Sequence, residues 1–223
     1  MSVVENLKKI ESQLPEGVKL VAVSKTYPAE NILEAYNVGQ RLFGENKPQE
    51  MTAKHAELPE DIEWHMIGNL QTNKVRMIIP YVAMIESVSS LRLLETIDKE
   101  AARIGRQVDI LFEVHIAQEE SKMGWSEAEF LEYIETEKWR ELKNIRPRGV
   151  MGMATFTDDK SQVGSEFARL RNIFDNLKQR YFADDAQFDT VSMGMSGDWQ
   201  LAVEKGSTQV RVGRAIFGAR NYY

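Results

Sequence analysis

The chain has no cysteine, which excludes disulfides, thiolate metal sites and a cysteine nucleophile and agrees with a reducing, cytoplasmic setting. Its histidines, at positions 55, 65 and 115, have no metal-ligand spacing, so no metal centre is expected. Basic charge is in deficit: 28 Lys and Arg against 34 Asp and Glu leave a formal net charge of -6, the wrong sign for a nucleic-acid scaffold. No apolar run approaches the roughly 20 residues of a membrane span, and the opening MSVVENLKKIESQLPEG reads as an amphipathic helix rather than a secretion signal. Linkers are missing too. No Pro/Gly/Ser-rich stretch interrupts the chain, so residues 1–223 read as a single domain with an N-terminal helix.

What is present is a rhythm. Short β-branched and apolar runs at 20–24, 42–43, 63–65, 83–86, 109–116, 148–151, 190–193 and 209–212 alternate with helical stretches at 29–38, 47–56, 72–77, 90–104, 126–140, 164–181 and 198–205. The clearest helix, 164–181, repeats Phe167, Leu170, Ile173, Phe174, Leu177 and Tyr181 at three- and four-residue steps. Eight strands in βα alternation predict an α/β fold of the (β/α)8 TIM-barrel type. The length lies near the small end of that fold's range of roughly 200 to 400 residues. A doubly wound open sheet is the competing architecture. The first strand, however, runs into SKTYPAE, with neither a GxGxxG turn nor a Walker lysine motif.

In such a barrel, functional groups stand at the carboxyl ends of the strands, and here those ends are polar. The first strand ends in Ser24-Lys25-Thr26, the second in Gly44-Glu45-Asn46, and the third runs on to Gly68-Asn69. The seventh leads into SMGMSGDW and the eighth into VRVGRAIFG, the two places where barrels frequently bind phosphate through backbone N–H groups. Gly194, Ser196 and Gly197 permit close approach and offer a hydroxyl. Gly213 does the same beyond the eighth strand, ahead of a single turn at 215–217, and Arg211 and Arg214 add positive charge. The plainer reading of SMGMSG is a turn and helix cap built on Ser196 or Asp198.

Lys25 reads either as a rim lysine whose ammonium reaches water or as a desolvated amine able to form a Schiff base. Beside a phosphate site, the second reading selects phosphorylated aldehydes and ketones. Pyridoxal 5'-phosphate is the commonest of these, and Arg211 is a candidate partner for its ring nitrogen. His65 reads as a pocket-wall histidine, and Asn46 as a ligand contact or a cap of the following helix. Met195, in one of two glycine-flanked methionine pairs, suits either core packing or the face of a flat ring.

The stretches LVAVSKTYP, GQRLFGENKPQE, WHMIGNLQTNK, EESKMGW, RGVMGMAT, SMGMSGDWQLAVEKGST and VRVGRAIFGARNY, spread from residue 20 to residue 222, closely resemble the pyridoxal phosphate homeostasis protein family, relatives of the alanine racemase N-terminal barrel. The resemblance implies a fold-type III barrel with Lys25 as the covalent anchor. It also implies phosphate contacts from Ser196, Gly213 and residue 214, and Arg211 facing the pyridine nitrogen. The sequence departs from the family at Arg214, where a small hydroxyl residue is frequent, and at Asn69 and His115, where His and Asn are frequent.

The implied function is a module that holds the cofactor in vitamin B6 and amino-acid homeostasis, with dependent apoenzymes as potential recipients. The alternative is a weak amino-acid racemase. That chemistry wants a second proton donor, which alanine racemases take from a further domain, and the chain reaches Tyr223 just after the eighth strand. A barrel acting only through protein partners is the reading that needs no ligand. Without the racemase's second domain, a monomer is expected.

Overall fold

The computed structural model describes residues 2–119 and 123–219. Residues 120–122 of EESKMGW and the final motif from Arg220 to Tyr223 lie outside them. Strands β1 (Lys19–Val23), β2 (Leu42–Glu45), β3 (Glu63–Met66), β4 (Met84–Val88), β5 (Val108–Glu113), β6 (Ile145–Met151), β7 (Thr190–Ser192) and β8 (Gln209–Val212) form a closed parallel barrel in chain order. Closure is made by β1 and β8, with Val21 opposite Arg211 and Ala22 opposite Val212. The strands are buried almost throughout, as expected where a parallel sheet is covered on its outer face by helices.

Those helices are α1 (Val3–Glu11), α2 (Ala29–Asn37), α3 (Pro48–Glu57), α4 (Val75–Ile78, after a 3-10 turn at Thr72–Lys74), α5 (Leu91–Ala102), α6 (Glu127–Glu135), α7 (Lys160–Tyr181), α8 (Trp199–Glu204) and α9 (Arg214–Phe217). Helix α7 begins where Asp159 accepts the N–H groups of Ser161 and Gln162, and it buries Phe167, Leu170, Ile173, Phe174 and Leu177 against the sheet. Helix α1 opens with a Ser2–Glu5 capping box. Its Asn6 amide donates to the Ile216 carbonyl at 2.9 Å, fastening α1 to α9 beyond β8.

Two expectations need correcting. The predicted strand at 109–116 ends at Glu113, because Val114 bridges Trp125 and the returning loop takes over the pairing: Trp125 donates its N–H to the Glu113 carbonyl, and His115 donates to the Trp125 carbonyl, both at 2.8 Å. The predicted helix at 126–140 breaks after Glu135, since Glu137 adopts a left-handed φ of 53° before a separate 3-10 turn at Lys138–Glu141.

The barrel interior is layered by the two-residue strand period. Met84, Leu111 and Met151 pack into an apolar plug. Two residues further on, β4 and β5 present Glu86 and Glu113, and β6 leads to Met153. A polar layer therefore lies directly above the plug, facing the carboxyl ends of the strands.

Candidate functional site

The polar layer is built around Glu86. Its carboxylate is fully buried and accepts from His65 Nδ1 (2.7 Å), Ser192 Oγ (2.6 Å) and Gln209 Nε2 (2.9 Å). Burial raises the Glu86 pKa, but the His65 hydrogen bond, the charges of His65 and Arg211 and the Ser192 hydroxyl together bring it below its ordinary value. Glu86 is therefore an anion, and it anchors a cation. Arg211 donates from Nη1 to Ser192 Oγ at 2.6 Å and from Nη2 to the Gly152 carbonyl at 3.0 Å, with Nη1 3.8 Å from Glu86. Both arms of the guanidinium fork are thus held, and the group lines the floor of a cavity of about 310 Å3 at the barrel mouth.

That cavity brings together Lys25, Asn46, Met195, Ser196, Arg211, Gly213 and Arg214. His65 stands apart: only 3% exposed, it is not among the lining residues, and its ring nitrogen is committed to Glu86. Its place is beneath the site, in the support of Arg211. Asn46 does not cap α3, whose N-cap is Lys47. The two methionine pairs divide alike: Met151 and Met193 are buried, while Met153 and Met195 reach the cavity.

The loop after β7 is a turn closed by Met195 N–H, which donates to Asp198 Oδ1 at 2.6 Å; Asp198 is the N-cap of α8 by position. This leaves Ser196 facing β8, where its Oγ accepts from the N–H groups of Gly213 (3.2 Å) and Ala215 (3.5 Å). A hydroxyl and two backbone donors thus converge at one corner of the cavity. Gly194 makes the turn possible. Its φ is +94°, and a Cβ there would lie 2.6 Å from Ala202 Cβ and 2.9 Å from Trp199 Cα.

Lys25 is presented by a turn that the sequence reading did not explain. Lys54, buried on α3, donates from Nζ to the Ser24 carbonyl (2.8 Å), to Glu45 (2.7 Å) and to Glu50 (2.7 Å). Ser24 Oγ also donates to Glu45, and Glu50 accepts the N–H of Thr26 at 2.6 Å. The peptide groups on both sides of Lys25 are therefore clamped by one ion cluster, which holds Thr26 at a positive φ of 69°. Glu45, whose other oxygen has no hydrogen-bond partner among the described residues, is pushed by burial up to about 7 despite Lys54.

Glu113 is a residue of the cavity wall that the sequence reading did not single out. It closes β5, lines the cavity and is 3% exposed. Among the described residues its carboxyl makes no hydrogen bond, and burial pushes it up to about 7 against the lowering charge of Arg211.

The family described as alanine racemase, N-terminal domain, matches residues 2–221. The chain is 39% identical to the pyridoxal phosphate homeostasis protein of Vibrio alginolyticus over 99% of both proteins. It is 37% identical to that of Escherichia coli K12, over 93% of this chain and 88% of the relative. Among solved structures it is similar to PipY of Synechococcus elongatus PCC7942 with pyridoxal phosphate bound, at 38% identity and a TM-score of 0.87 over 97% of this chain and 100% of that one. Alanine racemase of Clostridium difficile 630 shares the fold, at 16% identity and a TM-score of 0.76, with 99% of this chain matching 57% of that enzyme.

Proposed function

This chain belongs to the pyridoxal phosphate homeostasis protein family, whose barrel is that of the alanine racemase N-terminal domain, and we propose that it holds pyridoxal 5'-phosphate covalently on Lys25. The observation that carries the reading is the convergence, in one cavity, of a lysine on a clamped turn, an anion corner and a fixed guanidinium. The residues fit the group. Ser196 with the amides of Gly213 and Ala215 matches a phosphate, with the Arg214 side chain at the same rim. Arg211 matches a ring nitrogen, and Met195 and Asn46 line the walls. Lys25 supplies the amine that condenses with the aldehyde carbon, with loss of water.

When bound, the cofactor supplies an electron-withdrawing ring to amines joined to it. Arg211 moderates that chemistry. A guanidinium stays protonated, so it disfavours a proton on the ring nitrogen facing it and weakens the ring as an electron sink. The function is accordingly a cofactor holder in vitamin B6 homeostasis rather than a turnover enzyme, working as a monomer in the cytoplasm and passing its cargo to dependent apoenzymes. Among the described residues no helix is long and apolar enough to cross a membrane.

The test is the visible absorption spectrum before and after borohydride reduction, with peptide mass spectrometry to locate the modified residue. A yellow protein reduced at Lys25 is expected, and Lys25→Ala is expected to be colourless. Modification elsewhere, or no binding of added cofactor, overturns the reading. Prolonged incubation with L-alanine is expected to yield no D-alanine; its appearance in the wild type and not in Lys25→Ala would favour the racemase.

A further inference from the structure

We propose that Glu113 is a ligand-contacting acid of this site, whose carboxyl meets an anionic oxygen of the bound cofactor and carries the proton that joins them. The proposal rests on the cofactor reading above and extends it to a residue with no assigned role.

The geometry is specific. Glu113 ends β5, four strands around an eight-stranded barrel from β1, so it faces Lys25 across the mouth. It is almost wholly buried, yet borders the cavity, and no described residue hydrogen-bonds its carboxyl. Nearly every buried polar group in a folded protein has a partner, so a carboxyl in this position awaits one from the ligand.

Its neighbours cannot supply it. Arg211, the opposing charge, has its fork engaged by Ser192 and Gly152. Glu86 on β4 is occupied by His65 of β3, Ser192 of β7 and Gln209 of β8, and β6 and the segment after it contribute the apolar Met151 and Met153. Lys25 beyond β1 and Asp198 ahead of α8 are the remaining charged groups that line the cavity with it, apart from Arg214 at the rim.

The ligand chemistry then decides the protonation state. The cofactor is a multiple anion, with its phosphate assigned to the Ser196 corner and a ring oxygen beside the aldehyde carbon. Bringing that charge against a desolvated carboxylate is unfavourable, whereas a carboxylic acid has one O–H to donate. Burial has already moved Glu113 to about 7, and a filled site moves it further up. One proton is therefore taken from solvent for each cofactor bound and returned when the cofactor leaves.

The experiment titrates the wild type and Glu113→Gln with pyridoxal 5'-phosphate and with 4'-deoxypyridoxine 5'-phosphate, which lacks the aldehyde and so binds independently of Lys25. Calorimetry at about pH 7.5 in two buffers of different ionisation enthalpy counts protons, and affinities are read from about pH 6.5 to 8.5, above the phosphate's own transition near 6. The wild type is expected to take up close to one proton more than Glu113→Gln. Its affinity for the deoxy compound is expected to fall by about ten-fold as pH rises from 7 to 8.5. Glu113→Gln, whose amide donates without titrating, is expected to show no such fall, and Glu113→Ala to bind more weakly at both ends. Equal proton counts and parallel pH profiles in wild type and Glu113→Gln overturn the role of Glu113 while leaving the cofactor reading intact. Failure of both compounds to bind overturns both.

Discussion

Ser196→Ala removes the hydroxyl on which the amides of Gly213 and Ala215 converge, and is expected to weaken cofactor retention by on the order of 1 kcal/mol, a several-fold faster loss on dialysis. Arg211→Glu sets a third carboxylate beside Glu86 and Glu113 and permits a proton on the ring nitrogen. The absorption band of the bound cofactor is expected to shift, and an unchanged spectrum would remove Arg211 from the ring. Ser196 was legible because glycine-flanked positions just beyond a strand are where a barrel keeps its chemistry, and Arg211 because it is a charged residue within the last strand. Glu113 was not. Inside the run DILFEVHI at 109–116 it read as one more strand residue. Only the pairing of Trp125 with Glu113 and His115 shows that the strand stops there, with that side chain at the mouth.

The turn after β1 behaves as an element in its own right, held by a helix distant from it in sequence. Lys54→Met removes the cation that pairs with both Glu45 and Glu50. Removing one partner of a buried pair typically costs about 3–5 kcal/mol, to be read as a lower urea midpoint. The same variant is expected to react more slowly with the cofactor at Lys25, because the Ser24 carbonyl and Thr26 amide lose their clamp. Gly194→Ala forces a Cβ onto Ala202 and Trp199; a loss of roughly 1–3 kcal/mol and a displaced Ser196 loop are expected. The existence of these elements was readable from periodicity. Their interlocking was not, since Lys54 on its own helix looks like any other surface lysine.

For the whole molecule, the buried carboxyls set a pH dependence. Glu45 and Glu113 are raised to about 7 in the folded chain, so between about 4.5 and 7 the folded state holds protons that the unfolded state has released. Stability of the cofactor-free protein is therefore expected to fall as pH rises through that window and then level off, each group contributing up to roughly 3 kcal/mol. Glu86, held below its ordinary value, acts in the opposite sense and costs stability as pH falls through its own lower pKa. Urea unfolding at about pH 5 and 7.5 checks the sign: Glu113→Gln should gain at the higher pH and change little at the lower. Period and turn chemistry are local properties, so the alternation of strands and helices, and hence the barrel, is already written in the order of the amino acids, together with the segments that carry Lys25, Ser196 and Arg211. Which polar groups share a layer depends on how the barrel closes. Glu86, Glu113, His65, Ser192 and Arg211 lie far apart in the chain, and barrel closure alone determines that His65 supports the floor while Glu113 faces the ligand.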